Sequence, residues 1–346
     1  MKLDKLIDQG KGIFVFSDPA GSNSVFSIVD YLIKNNKSPG KDFLIFTNKV
    51  GVFDNKYDAI VDIIELNHLI VSKIIKDFKP NFLFSATSNN NFEHLWRKFS
   101  MGKVKIYSFI DHWTKYIERF SYDDEIIFGD IIYVVNKVAK DEAILSGIPK
   151  NIIKIFGNPY YEKVIKFKPS VTKDKFFRSN KLNKKKLIVL FISENLKAAY
   201  GSNSHEKYQL GYDEYTVFDD LLECIINKKH EFNLKFQFVI KIHPKAHPNK
   251  FDSILKRRNI KNLDIITLRN CDSLTLNYFS DYVIGMHSNM VIESYLLGKK
   301  LLRVQTGQLH NDLMKFSHLK NKVITSKAKL NDNFKRFLNI NDLEIT

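Results

Sequence analysis

The sequence has only two cysteines in 346 residues, Cys224 and Cys271, far apart and without metal-ligand partners nearby. Neither a disulfide framework nor a zinc site is expected from them. Long hydrophobic runs are also missing, and none approaches the ~18 residues of a transmembrane helix. The first residues, MKLDKLIDQGKG, are too polar and charged for a secretory signal. A cytoplasmic protein is therefore expected, soluble or peripheral at the inner face of the plasma membrane. No GxGxxG follows the first strand-like run, which excludes a nicotinamide-type fingerprint. No RNA-binding or helix-turn-helix signature is present. The Asp123-Asp124 pair lies in a charged stretch, FSYDDEIIFGD, and no metal site is expected there.

What is present suits a globular chain. Hydrophobic residues make up 44% and charged residues 27%, enough for sizeable cores, and the length suits two domains. The 54 Lys and Arg outnumber 38 Asp and Glu, for a net charge of +16, which implies an anionic partner. Phosphorylated or acidic substrates, or an anionic membrane surface, fit this better than nucleic acid.

Short apolar runs recur along the chain, each followed by a polar turn. In the first half they are Gly12 to Ser17, Phe43 to Phe46, Ile60 to Ile64, Asn81 to Ser85, Val104 to Ile110, Ile131 to Val135 and Ile152 to Phe156. In the second they are Leu187 to Ile192, Phe236 to Ile242, Leu263 to Thr267, Tyr282 to Ile284 and Leu301 to Val304. Continuous apolar runs of this kind read as strands of parallel sheets, covered on both faces. The lysine-rich stretch Lys163 to Lys186 has no clear period and reads as a linker. The expected organisation is an α/β domain over 1–162, a linker over 163–186 and a second α/β domain over 187–346. Leu313 to Phe316 and Phe334 to Phe337 read as apolar segments of a partly helical tail, whose helices can pack back on the first domain.

One stretch, Asp281 to Thr306, organises the second half. It reads as strand, tight turn, helix and strand, with Gly298 as the helix C-cap. The turn holds His287-Ser288-Asn289, and either Ser288 or Asn289 can N-cap the helix. A strand that turns straight into a helix leaves backbone N–H groups and a positive dipole end, which is an anion site. Glu293 lies four residues after Asn289 on the same face and leans back toward that end. Other polar groups end the neighbouring strands: Ser193-Glu194-Asn195, Lys241-Ile242-His243-Pro244 and Gln305-Thr306. In a doubly wound sheet these ends line one crevice. In the first half, Asp18, Gly21 and Asn23 follow the first strand and ATSNNN (86–91) follows another. Asp111-His112-Trp113 ends the Val104 strand, where Asp or His can act as general base and Trp113 can stack on a sugar or base.

These motifs resemble the GT-B glycosyltransferase superfamily. Lys241 to Pro244 resembles the His-Pro motif of bacterial sialyltransferases, Kdo transferases and CDP-glycerol-type transferases. Ser280 to Gln305 resembles their Ser-x-x-x-Glu donor-binding unit. The resemblance implies two Rossmann-like doubly wound domains facing a cleft, and synthesis of a capsule or lipopolysaccharide glycan. It implies that His243, His287, Ser288 and Asn289 bind donor phosphate and that Glu293 contacts the ribose. Ser193, Lys241, Pro244, Gln305 and Thr306 complete the expected donor side. Asp18, Gly21, Asn23 and Trp113 form the expected acceptor side. Asp111 resembles the N-domain base of the CMP-sialic acid users, with His112 in place of a second acidic residue.

The expected function is a metal-independent glycosyltransferase without a cofactor. It would move a sugar from a nucleotide-activated donor, cytidine-linked by preference, to a glycan or lipid-linked acceptor. The alternatives are a non-hydrolysing UDP-sugar 2-epimerase-like enzyme, a CDP-alditol phosphotransferase, and a nonenzymatic polysaccharide-assembly scaffold.

Overall fold

The computed structural model describes residues 10–48, 60–63, 65–88, 91–201, 210–227, 236–258, 260 and 263–338. The chain divides into two compact units, Met1–Lys163 and Val164–Thr346.

In the first unit seven parallel strands form one sheet: β1 (Gly12–Val15), β2 (Phe43–Thr47), β3 (Ile60–Asp62), β4 (Phe82–Ser85), β5 (Lys105–Ile110), β8 (Ile131–Val134) and β9 (Ile153–Ile155). Their spatial order is β3-β2-β1-β4-β5-β8-β9. The order reverses between β1 and β4, which pair in parallel with Gly12 opposite Phe82 and Val15 opposite Ser85. The short strands β6 (Ser121–Tyr122) and β7 (Glu125–Ile126) form a separate hairpin in the charged FSYDDEIIFGD stretch. The connecting helices are α1 (Pro19–Lys34), α2 (His68–Phe78), α3 (Asn91–Ser100), α4 (Lys137–Leu145) and α5 (Pro159–Ile165). Strands such as GIFV and FLFS are buried along their whole length because helices cover both faces. Phe14 packs edge-on against Phe43 and Phe82, and Trp96 of α3 stacks on Phe46 at 4.9 Å.

Helix α1 begins at the carboxyl end of β1. Asp18 caps it by accepting from the Gly21 N–H at 2.6 Å, and Pro19 suits the first turn. Gly21 lets this turn approach β4, since a Cβ there would lie 2.7 Å from that of Ala86.

The second unit holds five parallel strands: β10 (Leu187–Ile192), β11 (Phe236–Lys241), β12 (Ile265–Leu268), β13 (Tyr282–Gly285) and β14 (Lys300–Arg303). Their order is β12-β11-β10-β13-β14, so the reversal falls between β10 and β13. Its helices are α6 (Lys173–Ser179), α7 (Leu196–Tyr200), α8 (Glu214–Asn227), α9 (Asp252–Arg257), α10 (Ser273–Phe279), α11 (Asn289–Leu296) and α12 (Lys327–Phe337). Phe191, Phe218, Phe238 and Phe251 form one aromatic cluster, with Phe218 and Phe251 only 4.3 Å apart. Gly285 permits α11 to close on the sheet, because a Cβ there would meet Val291 Cγ2 at 2.5 Å.

Several elements differ from the sequence-based expectation. Residues 91–100 form helix α3, where no helix is expected; Glu93, His94 and Arg97 are buried in it, and their charges break up its apolar face. The stretch read as a linker contains α6, capped by Thr172, whose Phe176 and Phe177 pack against Phe279. Leu313 to Phe316 is irregular rather than helical, whereas Lys327–Phe337 is a helix capped by Ser326. Ile64, at the end of the third expected strand, lies outside the described residues.

Phe177 is 1% exposed. Phe177→Ala is therefore expected to destabilise the chain by about 3–5 kcal/mol, read as a lower urea midpoint at unchanged slope. A side chain on a solvated linker would shift it by less than about 0.5 kcal/mol.

Candidate functional site

Open α/β sheets take ligands outside the carboxyl ends of strands at the point of reversal. In the second unit that point lies between the exits of β10 and β13. The expected anion turn is there, but its amides already have a partner. Glu194, two residues after β10, brings Oε1 within 3.1, 2.8 and 3.0 Å of the backbone nitrogens of Met286, His287 and Ser288. One carboxylate oxygen therefore sits in the nest expected for a ligand phosphate.

The surroundings hold Glu194 in place. Its backbone carbonyl accepts from Lys250 Nζ at 2.8 Å and from the Ser193 hydroxyl at 3.3 Å. Lys250 lies 2.6 Å from Glu214 Oε1, and both side chains are buried. The other Glu214 oxygen accepts from the N–H groups of Leu196 and Lys197 at 2.8 and 3.0 Å, capping α7. Buried charges persist only where paired and hydrogen-bonded, as here.

Ser288 occupies the N-cap position of α11 by its backbone, yet its side chain makes no capping bond. Ser288 Oγ and Asn289 Oδ1 have no hydrogen-bond partner among the described residues. His287 Nδ1 is 3.5 Å from Glu194 Oε2 and 3.3 Å from the Tyr212 hydroxyl. His243 is half-buried, and its Nδ1 accepts from the Lys245 N–H at 3.2 Å. Burial lowers its pKa, helped by Lys250 and Lys245, so the neutral ring offers Nε2–H as donor. Glu293 is buried in the second turn of α11.

Other expected donor-side residues have partners within the protein. Lys241 Nζ donates to the Arg269 carbonyl at 2.6 Å, and burial lowers its pKa. The Pro244 carbonyl accepts from Arg269 at 2.7 Å. Thr306 donates its hydroxyl to Asp220 at 2.6 Å. Gln305 reaches Asp312 at 3.2 Å. Asp312 is also gripped in fork geometry by the buried Arg303, at 2.6 and 2.7 Å, and Arg303 donates to the Met286 carbonyl at 2.8 Å. Burial works against the Asp312 charge, but Arg303 holds its carboxyl below the usual range.

In the first unit the reversal lies between β1 and β4. Asp18 is committed to the α1 cap, and Asn23 is half-buried in that helix. The buried Asp111, just after β5, forms an ion pair with the half-buried Arg119 at 3.2 Å. Burial raises its pKa, and Arg119 opposes the rise. Arg119 also donates to the Thr87 carbonyl at 2.7 Å, tying the ends of β4 and β5 together. Trp113 donates its indole N–H to Asn136, the cap of α4, at 3.1 Å. His112 is half-buried and lies edge-on to Trp113.

The sequence-based list omits a third group here. Ser17 and Ser88, from the ends of β1 and β4, both reach Glu93 Oε2 of α3, at 2.6 and 2.7 Å. Glu93 is fully buried, and burial pushes its carboxyl up to about 7, against the two serine hydrogen bonds and with the Asp18 charge adding to the rise. The spacing of Phe92, Trp96 and Phe99 was the available signal for its helix. A cavity of about 690 Å³ lined by Asn81, Lys103, Ile106 and Asp130 lies at the opposite, amino ends of β4 and β5. No group of His, Cys, Asp and Glu among the described residues could hold a metal ion. No described helix is long and apolar enough to cross a membrane.

The fold is GT-B-like. It is similar to UDP-GlcNAc 2-epimerase from Methanocaldococcus jannaschii, at 14% identity and TM-score 0.65, over 95% of this chain and 93% of that one. It is similar to UDP-GlcNAc 2-epimerase from Neisseria meningitidis bound to UDP-GlcNAc, at 14% identity and TM-score 0.63, over 96% and 92%. Anabaena Alr3699/HepE in complex with UDP-glucose matches at 9% identity and TM-score 0.60, over 96% and 91%. No protein-family model and no curated protein matches the sequence.

Two outcomes follow from the geometry. Glu194→Ala leaves three amides without their acceptor and is expected to destabilise by about 1–3 kcal/mol. Inorganic phosphate should then raise the melting temperature of this variant more than that of the wild type, because the emptied nest accepts an anion. For Glu93, folded and unfolded chains both carry the proton below pH 4.5, and only the folded chain keeps it up to about 7. Stability contributed by this group therefore falls as pH rises through that window, by about 3 kcal/mol. Glu93→Gln should flatten the fall when urea midpoints are compared between about pH 5 and about pH 8.

Proposed function

We propose that this chain is an enzyme acting on a nucleotide-linked sugar, with epimerase-type conversion of a UDP-sugar as its reaction. The supporting observation is a likeness running over both units to several structures of UDP-GlcNAc 2-epimerases. The polar strand ends at both reversal points suit that chemistry. In the C-terminal crevice, Ser288, Asn289, His243 and the first turn of α11 are assigned to the nucleotide phosphates, and Glu293 to the ribose. Helix N-termini and neutral imidazole N–H groups stabilise a diphosphate without a metal or cofactor. Epimerisation takes a C–H proton from one face and returns one to the other, so it needs acid–base groups. Asp111, buried yet paired with Arg119, is assigned that role with His112 beside it.

The second reading is a glycosyltransferase with a cytidine- or uridine-linked donor and a glycan or lipid-linked acceptor. The His243-Pro244 turn after β11 favours it, and so does the structural likeness to HepE, which has been seen with UDP and glucose. The net charge of +16 would then meet an anionic membrane surface or acidic glycan.

A thermal-shift screen against UDP, CMP, CDP, GDP and their sugar conjugates tests the shared premise, because a ligand that binds only the folded chain raises its midpoint. A shift with UDP-GlcNAc, followed by its conversion to a 2-epimer without any acceptor in proton NMR, is the expected result. A shift with a cytidine conjugate and turnover only with a glycan acceptor would establish the second reading instead. His243→Ala and Ser288→Ala should each weaken nucleotide binding by about 1–3 kcal/mol. Asp111→Asn should lower turnover with nucleotide affinity nearly intact.

A further inference from the structure

Three buried oxygens at the reversal point of the N-terminal sheet lie within hydrogen-bond distance of one another. Ser17 Oγ is 2.7 Å from Ser88 Oγ and 2.6 Å from Glu93 Oε2, and Ser88 Oγ is 2.7 Å from the same carboxyl oxygen. Each hydrogen bond needs its own proton. The two hydroxyls bring two protons for three contacts. Were Glu93 ionised, both hydroxyls would point at Oε2, and the two serine oxygens would face each other at 2.7 Å with no hydrogen between them. A protonated Glu93 removes the conflict, because the carboxyl donates to one serine, that serine to the other, and the second back to the carboxyl.

The negative charge beside Glu93 agrees with this count: Asp18, at the β1 exit, opposes ionisation of its carboxyl. Arg97, one turn along α3, is fully buried and its charge attracts Glu93, but its side chain donates to the Ser85 hydroxyl, the Ile127 carbonyl and the Arg119 carbonyl.

We propose that Ser17, Ser88 and Glu93 form a proton relay for the acid–base chemistry of the N-terminal crevice, with Ser88 as its outlet. Ser88, at the carboxyl end of β4, is the least buried of the three. In the forward step the Ser88 O–H bond breaks and its proton goes to a basic atom of the substrate. Ser88 Oγ takes a proton along the ring, and the Glu93 O–H bond breaks, so the substrate's negative charge ends on the Glu93 carboxylate, where two hydroxyls stabilise it. The return step restores the acid. The raised pKa of Glu93 places this exchange near neutral pH. The relay rests on the sugar-nucleotide reading above.

The test combines two measurements on the full chain. The infrared carbonyl stretch of a protonated carboxylic acid, read without substrate, is expected in the wild type below neutral pH, lost above it and missing from Glu93→Gln. Its absence from the wild type at about pH 6 would overturn the three-proton ring. Turnover of UDP-GlcNAc is then followed against pH for the wild type, Glu93→Gln and Ser88→Ala. Glu93→Gln keeps hydrogen-bonding groups in the ring and is expected to bind UDP as the wild type does. Its kcat should fall by about 10²-fold or more, with the pH limb near neutrality gone. Wild-type kcat with the same limb in Glu93→Gln would overturn the relay and leave the sugar-nucleotide reading standing. A wild type that turns over no nucleotide sugar would overturn both.

Discussion

Three consecutive amides, of Met286, His287 and Ser288, converge on one oxygen of Glu194. This contact joins the two strands at which the C-terminal sheet reverses. It sets the path of the chain into α11, and the crevice at that sheet end follows from it. An N-terminal helix end in a buried turn needs an acceptor for its amides. Glu194 supplies one from inside the protein, leaving Ser288 Oγ and Asn289 Oδ1 at the same turn without hydrogen-bond partners among the described residues. A phosphate at this helix would either displace Glu194 or use the first-turn amides and side chains beside it.

Each unit buries a glutamate near the reversal point of its sheet, one just after a strand and the other in a helix, and in different surroundings. Glu194 accepts from amides, whose hydrogens cannot leave, and it is flanked by Lys250 and His287. Glu93 shares hydrogen bonds with hydroxyls, whose hydrogens can be exchanged, and its neighbour at the sheet end is Asp18. The first arrangement suits a fixed charge that shapes a binding turn. The second suits a group that gains and loses a proton. Asp111 lies between these cases, since burial raises its pKa while Arg119 opposes the rise.

Much of this fold was legible from the sequence. Uninterrupted apolar runs such as LIVLFI and FQFVI mark parallel strands covered on both faces, and all five C-terminal strands lie where those runs predict. The strand–turn–helix at 282–296 follows from Gly285, from the polar HSN turn and from the spacing of Val291, Ile292 and Leu296. Legibility failed where burial and polarity part company. Helix α3 puts Glu93, His94 and Arg97 inward, so its apolar period is broken by the residues that hydrogen-bond most. In α6 the surrounding lysines conceal Phe176 and Phe177, which face the core.

The sequence by itself determined the alternation of strands and helices and the strand ends at which polar residues gather, because side-chain periodicity and turn chemistry are local. Which polar groups are already partnered was decided only by the tertiary structure. Glu194 and Met286 are 92 positions apart, Ser17 and Glu93 are 76, and Thr306 and Asp220 are 86. A carboxylate near a helix start, or a hydroxyl at a strand end, reads the same in sequence whether it faces a ligand or another part of the chain. The order of strands in the sheet brings such groups together, and with it comes the desolvation that gives each its chemistry.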